Sequence, residues 1–175
     1  MSGIGEALVK AVADLEGPLY LLLSVICYLL ALVAFFQGCM RLLKYNEDKF
    51  HAPPVSGTLV SFLIAVVLVA LPRVLEAGGA TFFQGDAPVT VSLGYGARAA
   101  DFDRMLGALF TIVEFVGLLA FLKGIYVLRA ASDGTGGATV PSAAMHMLGG
   151  LMLWHIGWVL LAVQTTLGIT VLRIS

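Results

Sequence analysis

PLYLLLSVICYLLALVAFFQGCM, residues 18–40, contains no Asp, Glu, Lys or Arg. As an α-helix at ~1.5 Å per residue it crosses a hydrocarbon core of ~30 Å with some tilt. Arg41 ends the stretch and Gly17-Pro18 precedes it. Before that pair, Ile4, Leu8, Ala11, Val12 and Leu15 fall on one face, which predicts a short N-terminal amphipathic helix at the membrane surface. The same first 17 residues carry Glu6, Lys10, Asp14 and Glu16. That acidic balance does not suit the basic start of a secretory signal peptide, so the apolar segment is expected to stay in place as a membrane helix.

The remainder of the chain repeats this character. Hydrophobic residues make up 59% of it and charged residues 12%, about half the ~25% charge of soluble domains. A second span is predicted from Val55 to about Leu71, ending near Pro72-Arg73, a third from about Asp103 to Leu128, and a fourth from Pro141 to about Val163. The expected fold is an all-α membrane protein of four transmembrane helices, arranged as two tandem hairpin repeats. It divides into an amphipathic segment (1–17), a first hairpin (18–72), an extracytoplasmic loop (73–103) and a second hairpin (104–175). Glycines at 78, 79, 85, 94 and 96 mark the long segment as a loop, with a short strand suggested by the alternation in Val89-Thr90-Val91-Ser92-Leu93. The stretch ASDGTGGATV between helices three and four reads as flexible. Arg41, Lys44 and Lys49 follow helix one, and Lys123 and Arg129 lie at the end of helix three. Basic loops favour the cytoplasm, so both hairpin turns are placed there and the termini and the 73–103 loop outside it.

The repeat rests on an offset of 86 residues. Leu32-Val33-Ala34-Phe35-Phe36-Gln37-Gly38 reads like Leu118-Leu119-Ala120-Phe121-Leu122-Lys123-Gly124, and the same step pairs Leu42 with Leu128 and Ser56 with Ser142. Small residues recur at heptad spacing: Gly17, Ser24, Ala31 and Gly38 in helix one, Gly117 and Gly124 in helix three, Ala143, Gly150 and Gly157 in helix four. In lipid, close backbone approach through small residues supplies packing that hydrophobicity cannot. Gly38, Gly124, Gly150 and Gly157 are therefore expected at helix contacts, within the chain or between copies.

Chemistry-bearing residues are few. Cys27 and Cys39 are about 18 Å apart along one helix, too far to bond, and read as small apolar residues. His146 and His155 project to opposite sides of one helix and cannot share a haem iron. No P-loop, zinc motif or nucleophile–base pair is present, so no catalytic residue, metal or cofactor is expected, and a net charge of -1 offers no basic surface for nucleic acid. One residue is costly. Glu114 stands near the middle of helix three, and an ionisable side chain there costs at least ~2.5–3.5 kcal/mol. On helix four, which runs the other way, His155 lies at a similar depth, so the two are expected to form an intramembrane polar pair.

One further ordering is distinctive: a basic loop with Lys49, then Pro53-Pro54, an apolar span, Leu71-Pro72, Val74-Leu75, Gly78-Gly79 and Thr81-Phe82-Phe83-Gln84-Gly85. It resembles the small inner-membrane proteins of Dot/Icm-type (type IVB) secretion systems, the IcmC/DotE and IcmD/DotP group, over residues 30–85. Two hairpins rather than one favour the IcmC/DotE-like end, and Phe-Phe-Gln-Gly stands where that group has Leu-Phe-Gly. The resemblance implies a non-enzymatic, multi-pass component of a bacterial inner-membrane secretion or conjugation apparatus. Its partners would be lipid, other secretion-system subunits and further copies of itself. Alternatives are a pilin-like subunit of a conjugative filament and a small oligomeric channel or transporter using Glu114, with a membrane enzyme a distant further reading.

Overall fold

A backbone in hydrocarbon has no water to bond, so it satisfies its N–H and C=O groups within helices. The computed structural model describes residues 3–47, 55–83, 91–92, 96–135, 137–168 and 173–174. Among these the helices are α1 (Gly3–Glu47), α2 (Val55–Val69), α3 (Leu71–Phe83), α4 (Gly96–Ser132), α5 (Val140–Trp154) and α6 (Ile156–Leu167). Two short strands, β1 (Val91–Ser92) and β2 (Arg173–Ile174), pair antiparallel. That pairing uses part of the suggested strand; Val89, Thr90 and Leu93 lie outside the described residues.

Three expectations about helix ends are corrected. First, no separate surface helix precedes helix one, because α1 runs unbroken through Gly17 and Pro18. Proline removes the N–H that the Asp14 carbonyl would accept. Asp14 and Pro18 are both exposed, and the helix continues through the lost bond. Second, residues 73–83 are helix rather than loop. The chain turns by 88° at Ala70 and continues as α3. Pro72 is the second residue of α3, where its missing N–H would have no intrahelical partner, so it opens this helix instead of closing the previous one. Regular bonding resumes on both sides of the corner: the Ala70 N–H donates to the Val66 carbonyl (3.0 Å) and the Val74 N–H to the Ala70 carbonyl (2.9 Å). Third, helix four is not straight to Val163. It breaks at His155, and α6 leaves α5 at 85°.

The turn after α4 is capped rather than loose. Gly134 takes the left-handed conformation (φ 66°), and the N–H groups of Asp133, Gly134 and Thr135 donate to the carbonyls of Arg129, Ala131 and Ala130. Thr139 caps α5, its hydroxyl accepting from the Ser142 N–H at 3.3 Å, with Pro141 in the first turn.

Two helices, over Val9–Asn46 and Arg104–Ser132, are long and apolar enough to cross a membrane, and up to four spans result if each bent pair counts as one. A single stripe of α1 (Leu23, Cys27, Ala31, Ala34) is buried, with Ile64, Ala65 and Leu68 of α2, Leu71 and Leu75 of α3, and Leu118, Phe121 and Ile125 of α4 in the same cluster. The far side of α1, including Leu22, Leu29 and Phe36, is exposed. Arg41 near the end of α1 pairs with Asp133 just beyond α4 at 2.6 Å. Both long helices therefore end on the same side of the molecule. The two halves share one order: long helix, shorter helix, corner, helix. The corners, at Ala70 and His155, are 85 residues apart.

Candidate functional site at the helix corners

The small residues named from sequence sort into contacts of different kinds. Gly38 is buried, and a methyl group there would meet the Phe62 ring at 3.0 Å. Gly124 and Gly150 lie between α4 and α5. A methyl on Gly150 would come within 2.6 Å of the Gly117 carbonyl and 2.5 Å of the Phe121 nitrogen, and one on Gly124 within 2.8 Å of the Met147 nitrogen. These are approaches of backbone to backbone within the chain. Ala143 is fully buried in the same seam. Gly157 lies beyond the corner on α6 and is only half-buried, so the 85° bend takes it off the line of Gly150. Gly17 meets nothing within 4 Å, and Ser24 is exposed with its hydroxyl donating to the Tyr20 carbonyl.

That seam fixes the level of Glu114. Gly124 faces Ala143–Met147, and Gly117 faces Gly150, Leu153 and Trp154. Seven residues along α4 thus correspond to about seven in the opposite sense along α5. Three residues before Gly117, on the same side of the helix, Glu114 reaches the level of the corner at His155. Glu114 and His155 are both half-buried, and each engages another group, as do Tyr20 and Gln164.

His155 is the corner residue, with φ -107° and ψ 39°. Its Nδ1 lies 3.2 Å from the Leu151 carbonyl oxygen. A carbonyl can only accept, so this bond requires the proton on Nδ1 and leaves Nε2 of a neutral ring as an acceptor. The ring covers Gly79 of α3, where an added methyl would overlap Nε2. Neighbouring Gly78 meets the end of the Leu151 side chain in the same way. Trp154 packs edge-on against Tyr20 of α1, ring centroids 6.0 Å apart. A mostly apolar cavity of about 150 Å³ opens beside this level, lined in part by Cys27, Leu68, Pro72 and Leu118. Tyr20, Gly78, Gly79 and the Arg41–Asp133 pair were missed from sequence. Only the last had a usable signal, since Arg41 is the first charge after a long apolar span.

His146 makes the bond that His155 makes, Nδ1 to the Ser142 carbonyl at 2.8 Å. Among the described residues no three His, Cys, Asp or Glu side chains are grouped to hold a metal ion. His51 lies outside them. Comparison with family models, with curated proteins and with solved structures finds no match.

Proposed function

We propose that the chain is a non-enzymatic structural subunit of a bacterial inner-membrane apparatus, crossing the membrane four times as two tandem hairpins and working in assembly with other copies or other subunits. The observation that carries this reading is the common order of the two halves, with corners 85 residues apart. Duplicated hairpins, the second locked by backbone contact, suit a scaffold. The motif order from Lys49 to Gly85, similar to IcmC/DotE-like proteins, directs the reading to type IVB (Dot/Icm-like) secretion or conjugation. Electron microscopy and native mass analysis of the gently extracted protein test it. A discrete membrane complex with other envelope subunits is expected. A helical filament containing lipid would instead identify a pilin-like subunit. The topology has its own test: a cysteine at position 92 is expected to react with a thiol reagent that cannot cross the inner membrane.

The polar level at the corner favours a second reading, a small channel. In the scaffold reading Glu114 and His155 pair by hydrogen bonding, and Glu114→Gln keeps assembly and activity while Glu114→Leu loses assembly. Intact assembly with lost activity in Glu114→Gln would make the charge itself essential and favour the channel.

A further inference from the structure

α3 leaves α2 at 88°, with only Ala70 between them. Two helices joined so tightly cannot both lie along α1, and their side chains leave part of the angle open. The cavity of about 150 Å³ beside this corner is that opening. Leu23 and Cys27 of α1, Leu68 of α2, Leu71 and Leu75 of α3 and Leu118 of α4 wall it, and all six are buried. None of its lining residues is Asp, Glu, Lys, Arg or His. The Ser24 hydroxyl at its edge already donates to the Tyr20 carbonyl at 2.8 Å. A water held in a buried site needs about two to four polar partners, and this lining offers too few. Atoms that face an empty void forfeit dispersion contacts. The walls belong to separate helices, so the void closes only if the corner itself moves. An apolar guest fills it at no such cost, and voids of ~150 Å³ lined in this way take up molecules the size of benzene.

We propose that this cavity binds a small uncharged aromatic compound drawn from the bilayer. A ring rather than a branched chain follows from the wall that Tyr20 and Trp154 share. The two rings already meet edge to face at 6.0 Å, and both line the cavity. A third ring beside them gains the same kind of contact in addition to its burial. Entry from the membrane follows from the mouth, marked by the exposed lining residues Ser24, Tyr28, Val69 and Pro72. Tyr28 and Val69 also line a wide apolar groove between α1 and α2, so the way in is apolar. Arg73 and Glu76 of α3 are exposed and take no part in the lining. A charged guest would therefore find no partner inside. Such binding needs only the corner between α2 and α3, and is independent of any role as a scaffold.

Trp154 gives the readout, because it lines the cavity and Trp158, the second tryptophan of the chain, does not. In the full chain carrying Trp158→Phe, held in micelles, bromobenzene should quench Trp154 through its heavy atom. Saturable quenching is expected, reversed by an excess of benzene, which competes for the site without quenching. The charged 4-bromobenzoate should give no saturation. Cys27→Phe, which places a ring in the void, should abolish saturation, and the smaller intrusion Cys27→Leu should weaken binding about tenfold. Circular dichroism of each variant separates a filled cavity from a lost fold, and Cys27→Leu decides the matter if Cys27→Phe does not fold. Quenching that rises linearly and is not reversed by benzene is mere partition into the micelle and would overturn the proposal. Saturation retained in a folded Cys27→Phe protein would do the same. So would saturable quenching by a phospholipid brominated in its acyl chain with none by bromobenzene, which would assign the cavity to a lipid tail.

Discussion

The two hairpins use a similar word, Leu-x-Ala-Phe-x-x-Gly, to make unlike contacts. In the first, Gly38 of α1 faces the ring of Phe62, a side chain able to shift. In the second, Gly117, Gly124 and Gly150 bring the backbones of α4 and α5 against each other. A glycine read from sequence is thus not one thing. Its importance depends on whether its neighbour is a rotamer or a main chain. The third helices differ as well. α3 alternates Leu71 and Leu75 towards the core with exposed Arg73 and Glu76, while α6 is apolar from Ile156 to Val163, carries Gln164, Thr165 and Thr166 in its last turn and has no fully buried residue. An amphipathic helix suits an interface and an uncharged apolar stretch such as 156–163 suits hydrocarbon or further protein, so the corresponding elements differ in the surroundings they favour.

The sharpest way to break the comparison is Gly150→Ala. With backbone atoms at 2.5–2.6 Å from the new methyl group, α4 and α5 must separate, and a loss of about 3 kcal/mol is expected in unfolding measurements in micelles. Its neighbour Gly149 has open space, so Gly149→Ala should stay within about 0.5 kcal/mol. Equal effects at the two positions would show that the seam is not what holds the second hairpin. Next in size is Gly79→Ala, which displaces the His155 ring and should cost about 2 kcal/mol, with Gly78→Ala weaker because it meets only the end of Leu151. Gly38→Ala should cost under about 1 kcal/mol. Adding Phe62→Leu should recover part of that loss if the ring is the obstacle. The smallest effect is expected from Asp133→Asn. The pair it breaks is partly exposed, with side chains at 21% and 23% accessibility, and such pairs contribute about 0–1 kcal/mol.

Much of the architecture was legible because uncharged runs of this length admit few structures in lipid. The long helices and the turns on one side follow from apolar length and antiparallel counting. The corners do not. At Ala70 no residue marks a break, and Pro72 is ambiguous: it serves equally to end one helix or to open another. At His155 the local sequence Leu-Trp-His-Ile-Gly contains no proline, and the bend is set by what packs there, the imidazole over Gly79 and Trp154 against Tyr20. Glycines 78 and 79 read as loop because glycine is common in loops. They are instead places where a helix must admit another residue's side chain, information held by residues some 70 positions away and invisible to any local pattern. The surface helix is the converse case, a proline that suggests a boundary where the helix runs on through it.

The corners also set a length. α2 and α5 have 15 residues each, about 22 Å of rise at ~1.5 Å per residue, against a hydrocarbon thickness of ~30 Å. The long helices beside them have no such shortfall. Lipid around this molecule therefore meets full-height helices in α1 and α4 and lower ones in α2 and α5. A bilayer that matches both must thin beside the lower ones, and the mismatch costs a fraction of a kcal/mol for each ångström. The corners thus give the protein an energetic preference among membranes, independent of any contact it makes with a partner.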